Sequence, residues 1–153
     1  MKYLKLLIFV LIGSFSQAQQ EKNILHNIIE AVSENRLNED IKTLANFGTR
    51  HTLSDTLSTT RGIGAARRWI KTEFETISKK CNNCLEVFYQ KNLVKSGENN
   101  RIIKDVWVVN VVAIQRGTKH PNRFIVMSGD IDSRVSDPNN FISDSPGAND
   151  NAS

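Results

Sequence analysis

An α/β fold, with helices packed on a sheet, is predicted by three features of the chain. The first is an amphipathic stretch in which Ile63, Ala66, Ile70, Phe74 and Ile77 recur at spacings of three and four, making one apolar stripe on a helix. The second is a pair of strand-like runs, "LEVFYQ" and "VWVVNVVAI", the later one more continuously apolar. The third is "FIVMSG", in which Phe124 to Met127 contains no polar residue. A helix followed by strands of rising apolarity points to an α/β sandwich.

The N-terminus stands apart from that fold. "MKYLKLLIFVLIGSFSQAQQ" places Lys2 and Lys5 before an apolar run from Leu6 to Ile12, then Ser16 and Ala18 before a cut at Ala18/Gln19. This is the pattern of a secretory signal peptide. The apolar run is shorter than the roughly 20 residues a membrane span needs, so no stable anchor is expected after cleavage. The mature protein is expected to be exported, periplasmic or secreted. Removal of residues 1–18 takes two lysines, leaving 135 residues with a formal charge of +2 in place of +4. That excess is too small to argue for a nucleic-acid surface.

Residues 19–36 read as a lead-in segment, with Ile24, Ile28, Ile29 and Val32 at helical spacing. "LNEDIKTLANFG" reads as a short helix capped by Asn38 and closed by Gly48. "GTRHTLSDTLSTT" reads as a polar loop with too few apolar residues to bury. Thr59 or Thr60 can cap the following helix, and Arg67, Lys71 and Glu75 fall off its stripe and should face water. "CNNC" ends that helix. Cys81 and Cys84 are the only two cysteines in an exported chain, without a second CxxC or a nearby histidine, so they are expected to form a disulfide closing a turn.

In the strands, "LEVFYQ" alternates with Leu85, Val87 and Tyr89 on one side. "VWVVNVVAI" should be buried on both faces, with Asn110 needing a hydrogen-bond partner or a bulge. "RGTKHPNR" forms the turn before "FIVMSG", expected to be the central strand.

The stretch from Met127 to Asp150 carries five aspartates. Ligands of open α/β sheets gather at the carboxyl ends of strands. Asp130 and Asp132 lie just past the third run, and in extended backbone residues i and i+2 share a face. Two carboxylates so placed repel unless a cation or proton lies between them. Asp150 follows "SPGAN", where Pro146 and Gly147 shape a tight backbone. An EF-hand is excluded: counted from Asp130, positions five, six and twelve are Arg134, Val135 and Phe141, where that loop requires an oxygen ligand, a glycine and a glutamate. Arg50 and Arg134 read as loop ion-pair partners.

The order "FGTRHT", "GIGAARRWIKTEF", "VVNVVAIQRG", "FIVMSGDIDSR", "SPGANDNAS" resembles the N-terminal part of the M28 zinc exopeptidases, aminopeptidases with a two-zinc site. The resemblance covers Leu37 to Ser153, and its last two segments are the specific ones. It implies an incomplete α/β/α sandwich with a mixed central sheet, zinc-exopeptidase-like, in which 37–153 form the N-terminal part of a truncated catalytic domain. It implies peptide or protein N-termini as substrates and two zinc ions in the full-length protein. In the family a His-x-Asp-Ser segment supplies a zinc ligand and the carboxylate that orients it. Asp132 and Ser133 match the last two, while Asp130 stands where the family has the ligand histidine. Asp150 matches the aspartate that bridges the metals. Asp130 and Asp150 are therefore the metal candidates and Asp132 the supporting catalytic one, with one zinc site weakened by the missing imidazole. The general base and later ligands have no counterpart in these residues. A glutaminyl cyclase-like single-zinc acyltransferase and a non-catalytic homologue are the alternatives.

Overall fold

The computed structural model of the chain describes residues 23–150 and residue 152. The expected signal peptide and its cleavage point lie outside them. Two compact units divide the chain at 38/39. In the first unit, residues 23–30 are helical (α1) and the apolar stripe expected there, Ile24, Ile28, Ile29 and Val32, is exposed. Helix α2 (Glu34–Asn46) begins earlier than Asn38. Ser33 precedes it, and its Oγ accepts the Arg36 N–H at 3.2 Å, an N-cap bond that leaves Asn38 inside the helix. Gly48 closes α2 as expected, with φ +73°.

In the second unit, helix α3 (Gly62–Lys80) packs on an antiparallel pair, β1 (Leu85–Val94) and β2 (Val106–Gln115). The register runs from Leu85 opposite Gln115 to Val94 opposite Val106. Leu85, Val87 and Tyr89 share the half-buried face of β1, as the alternation requires. Asn110 finds its partner across the ladder, donating from Nδ2 to Gln90 Oε1 at 3.2 Å. Ser78 joins helix to strand, its Oγ donating to the Leu85 carbonyl at 3.0 Å and accepting the Leu85 N–H at 3.1 Å. The CNNC turn carries the Cys81–Cys84 disulfide, and Asn82 and Asn83 both take the left-handed conformation that Asn tolerates.

The first turn of α3 is buried, with Ile63 only 1% exposed and Ala65 and Ala66 beside it. Neither Thr59 nor Thr60 caps the helix. Its free N–H groups are taken by the preceding loop: Gly62 donates to the Phe47 carbonyl at 3.0 Å, Ile63 to Ser54 Oγ at 2.9 Å and Gly64 to the Asp55 carbonyl at 3.1 Å. That loop lies so close that a Cβ at Gly64 would run into the Thr56 backbone. Arg67, expected in water, is buried. It sits beside Tyr89, whose hydroxyl donates to the Arg67 carbonyl at 3.5 Å. Burial pulls the Arg67 pKa down and Tyr89 opposes that shift. Lys71 and Glu75 pair with each other, half-exposed, with Lys71 Nζ 5.7 Å from the Tyr89 ring centroid.

Two expectations fail in complementary ways. β2 is not buried on both faces, because Trp107, Asn110 and Gln115 are exposed. The third strand is not formed: residues 124–127 join no ladder, and Ile125 is 95% exposed. An apolar run becomes a buried strand only where a neighbouring strand takes its N–H and C=O groups and other elements cover its faces. Among the described residues nothing does either. Conversely, the first half of the polar loop after Gly48 is buried, with Arg50 at 0%, Thr49 and Leu53 at 2%, and His51 and Ser54 nearly as low. Among the described residues no helix is long and apolar enough to cross a membrane.

Candidate functional site

The acidic stretch forms no helix or strand. It folds back onto residues 48–51, and the sequence explains where it is fastened. The Gly48 carbonyl accepts the Ser145 N–H at 2.8 Å, and Thr49 and Ser145 form an isolated parallel bridge. Ser133 is buried; its Oγ donates to the Ser145 carbonyl at 2.6 Å and accepts the Arg50 backbone N–H at 3.0 Å. His51 accepts the Leu53 N–H on Nδ1 at 3.0 Å, which leaves Nε2 as the donor to the Pro138 carbonyl, also at 3.0 Å. From the α3 side, Arg61 pairs with Asp144 at 2.6 Å and donates to the Ile142 carbonyl at 2.7 Å.

Arg50 is the centre of this fastening. Its Nε donates to the Ile131 carbonyl at 2.8 Å, its Nη1 to the carbonyls of Leu44, at 2.8 Å, and of Pro146, and its Nη2 to that of Gly147 at 3.1 Å. It is a buried hub for main-chain carbonyls, a role that the reading as a loop ion-pair partner did not include. Hydrogen bonds to a charged group contribute about 1.5–3 kcal/mol each, and a carbonyl stranded in the interior costs a similar amount. Desolvation lowers the Arg50 pKa, and the Asp132 carboxylate acts against that shift. Gly147 has φ +54°, and a Cβ there would lie 2.6 Å from Ser133 Cβ and 2.9 Å from Arg50 Nη2, so only glycine fits.

A hollow of about 330 Å³ opens at this place, lined by Asp132, Ser133, Arg134, Val135, Ser136 and Asp150. Two of the three candidate carboxylates, Asp132 and Asp150, therefore face one space. Asp130 is exposed and is not part of that lining. Arg134 is exposed on its rim, with Nη1 3.5 Å from the Val135 carbonyl. Asp150 lies in a turn that the Ala152 N–H closes onto the Gly147 carbonyl at 3.0 Å. Carboxylate oxygens suit a zinc ion in chemistry, and a zinc site takes three or four protein donors. The hollow offers two, and among the described residues no group of three or more His, Cys, Asp or Glu converges. The lining sets the two carboxylates beside the Arg134 guanidinium, with buried Arg50 interacting with Asp132, so the concavity carries charge of both signs.

Comparison with known proteins bears on what that charge is for. No family model matches the chain, and no solved structure matches it significantly. A protein of Pyrenophora teres f. teres described as "Probable zinc metalloprotease" is 43% identical over 129 residues, 84% of this chain and 26% of its own length. A second from the same fungus, with the same description, is 36% identical over 142 residues, 93% of this chain and 30% of its own length. One from Pyricularia oryzae, again so described, is 40% identical over 142 residues, 93% of this chain and 28% of its own length. Over most of its own length the chain is thus similar to proteins described as probable zinc metalloproteases. It spans less than a third of the length of these three relatives.

The residues that hold the site together, Thr49, Arg50, His51 and Gly147, were not singled out as such by their sequence pattern.

Proposed function

We propose that this chain contributes the N-terminal part of an exported zinc-dependent exopeptidase of the M28 type, acting on peptide N-termini from an α/β/α sandwich with a mixed sheet. The supporting observation is that Asp132 and Asp150, distant in sequence, line one hollow in a chain related to zinc metalloproteases. Zinc, when bound, polarises a scissile carbonyl and activates a water. In this reading Asp150 and Asp130 are metal ligands, Asp150 serving two ions, and Asp132 orients its neighbours. The Arg50 network keeps the loop that carries Asp132 and Asp150 closed on residues 44–51.

The test uses the full-length protein, with zinc content by atomic absorption and hydrolysis of a panel of aminoacyl-nitroanilides. Asp150→Ala is expected to lose both zinc and hydrolysis; full retention of both defeats the ligand assignment. Asp130→His is expected to preserve or raise zinc content, because an imidazole gives Asp132 an N–H to accept. One zinc per chain in place of two favours the single-zinc acyltransferase, and none favours a non-catalytic homologue. Mass spectrometry of the exported protein is expected to begin at Gln19.

A further inference from the structure

We propose that Arg50 is the positioning residue of the acidic hollow, setting the separation of the Asp132 and Asp150 carboxylates by holding the backbone that carries each. This rests on reading the hollow as a metal site. Arg50 brackets Asp132 on both sides: its Nε holds the preceding carbonyl, of Ile131, and its backbone N–H holds the hydroxyl of the following residue, Ser133. Its Nη atoms hold the Pro146 and Gly147 carbonyls, and the Gly147 carbonyl also closes the turn containing Asp150. Nη1 ties the whole assembly to the Leu44 carbonyl near the end of α2. One planar guanidinium thus spans three separate segments. Two like charges facing one space repel, so their approach has to be held by something other than themselves. A buried cation fixed to both supporting backbones does this and offsets part of the repulsion.

The geometry excludes a substitute. A lysine carries its three donors on one point and cannot reach carbonyls lying in different directions around a rigid fork. No side chain fits at Gly147 because Arg50 and Ser133 already fill that space.

The experiment compares wild-type and Arg50→Lys full-length protein in two measurements. Affinity for Zn²⁺ alone is read by competition with a chromophoric chelator, and the Co²⁺-substituted protein by its visible spectrum. Amide hydrogen exchange over 130–150 is read by mass spectrometry, with 85–115 as the internal reference. Arg50→Lys is expected to weaken zinc binding by about 10–100-fold, the usual effect of losing a residue that orients metal ligands. Its Co²⁺ spectrum should change, and exchange should quicken over 130–150 while the β1–β2 amides stay protected. If Arg50→Lys does not fold, Ser133→Ala removes one link of the same clamp and should produce the same changes on a smaller scale. Unchanged zinc affinity and an unchanged Co²⁺ spectrum in a folded variant overturn the proposal and leave the metallopeptidase reading standing. A wild type that binds no zinc overturns that reading instead, and unchanged protection over 130–150 in the variant then overturns the positioning role as well.

Discussion

Residues 48–54 and residues 124–127 reverse each other's expected places. The first segment, "GTRHTLS", is polar and nearly inaccessible; the second, "FIVM", is wholly apolar and almost fully exposed. Transfer free energy alone would order them the other way, since an exposed aliphatic side chain forgoes about 1.5–3 kcal/mol of burial. The polar segment is inside because each buried group has a partner. Arg50 meets four carbonyls, Ser54 meets the α3 terminus, and His51 is bonded through both ring nitrogens. The apolar segment is outside because burial needs a surface to be buried against, and the described residues supply none. Burial is therefore a property of pairs of segments, decided by what lies opposite.

The contrast can be broken at several points. Leu53, 2% exposed among polar neighbours, anchors the buried segment by packing. Leu53→Ala should cost about 2–4 kcal/mol in urea unfolding, the ordinary loss for a buried leucine. Ser54→Ala strands the Ile63 N–H at the start of α3 and should cost about 1–2 kcal/mol, with reduced helical signal on mild heating.

A smaller effect belongs to Asp55, at the solvent edge of the same segment. The Ser58 N–H, then the Leu57 N–H, hold its carboxylate below the usual range. A carboxylate whose pKa is lower in the folded state stabilises above its unfolded pKa of about 3.9, and that contribution is lost as pH falls through the folded value. Thermal stability should therefore fall on acidification below about pH 4, and Asp55→Asn should flatten that acid limb by slightly lowering the midpoint at pH 7. The same sign applies to Asp105, held down by Lys95 Nζ at 2.7 Å. The smallest effect is expected in the apolar segment itself. Ile125→Ser should change the stability of the 153-residue chain by no more than about 0.5 kcal/mol, as at other exposed positions. A loss of the size expected at Leu53 would show that 124–127 is covered after all.

Much of the fold was legible because it is local. The stripe from Ile63 to Ile77 makes α3, the alternation in "LEVFYQ" selects the inner face of β1, Asn110 needed a partner and has Gln90, and two neighbouring cysteines close a turn. At the site, the family resemblance named Asp130 and Asp150 as the metal pair with Asp132 in support, whereas the hollow is lined by Asp132 and Asp150 and Asp130 lies outside that lining. Other assignments could not be reached that way. Arg67 is buried because a sheet lies over its face of α3, and α3 needs no threonine cap because Ser54 and the carbonyls of Phe47 and Asp55 reach its first turn.

Periodicity, capping residues and turn chemistry act within a few residues, so the sequence by itself determined the helices, the inner face of β1 and the disulfide turn. Which polar residues go inside depends on donors and acceptors more than eighty residues apart, such as Arg50 with Ile131 and Pro146. Only the tertiary structure decided that, because a buried hydrogen bond has no signature in one partner alone.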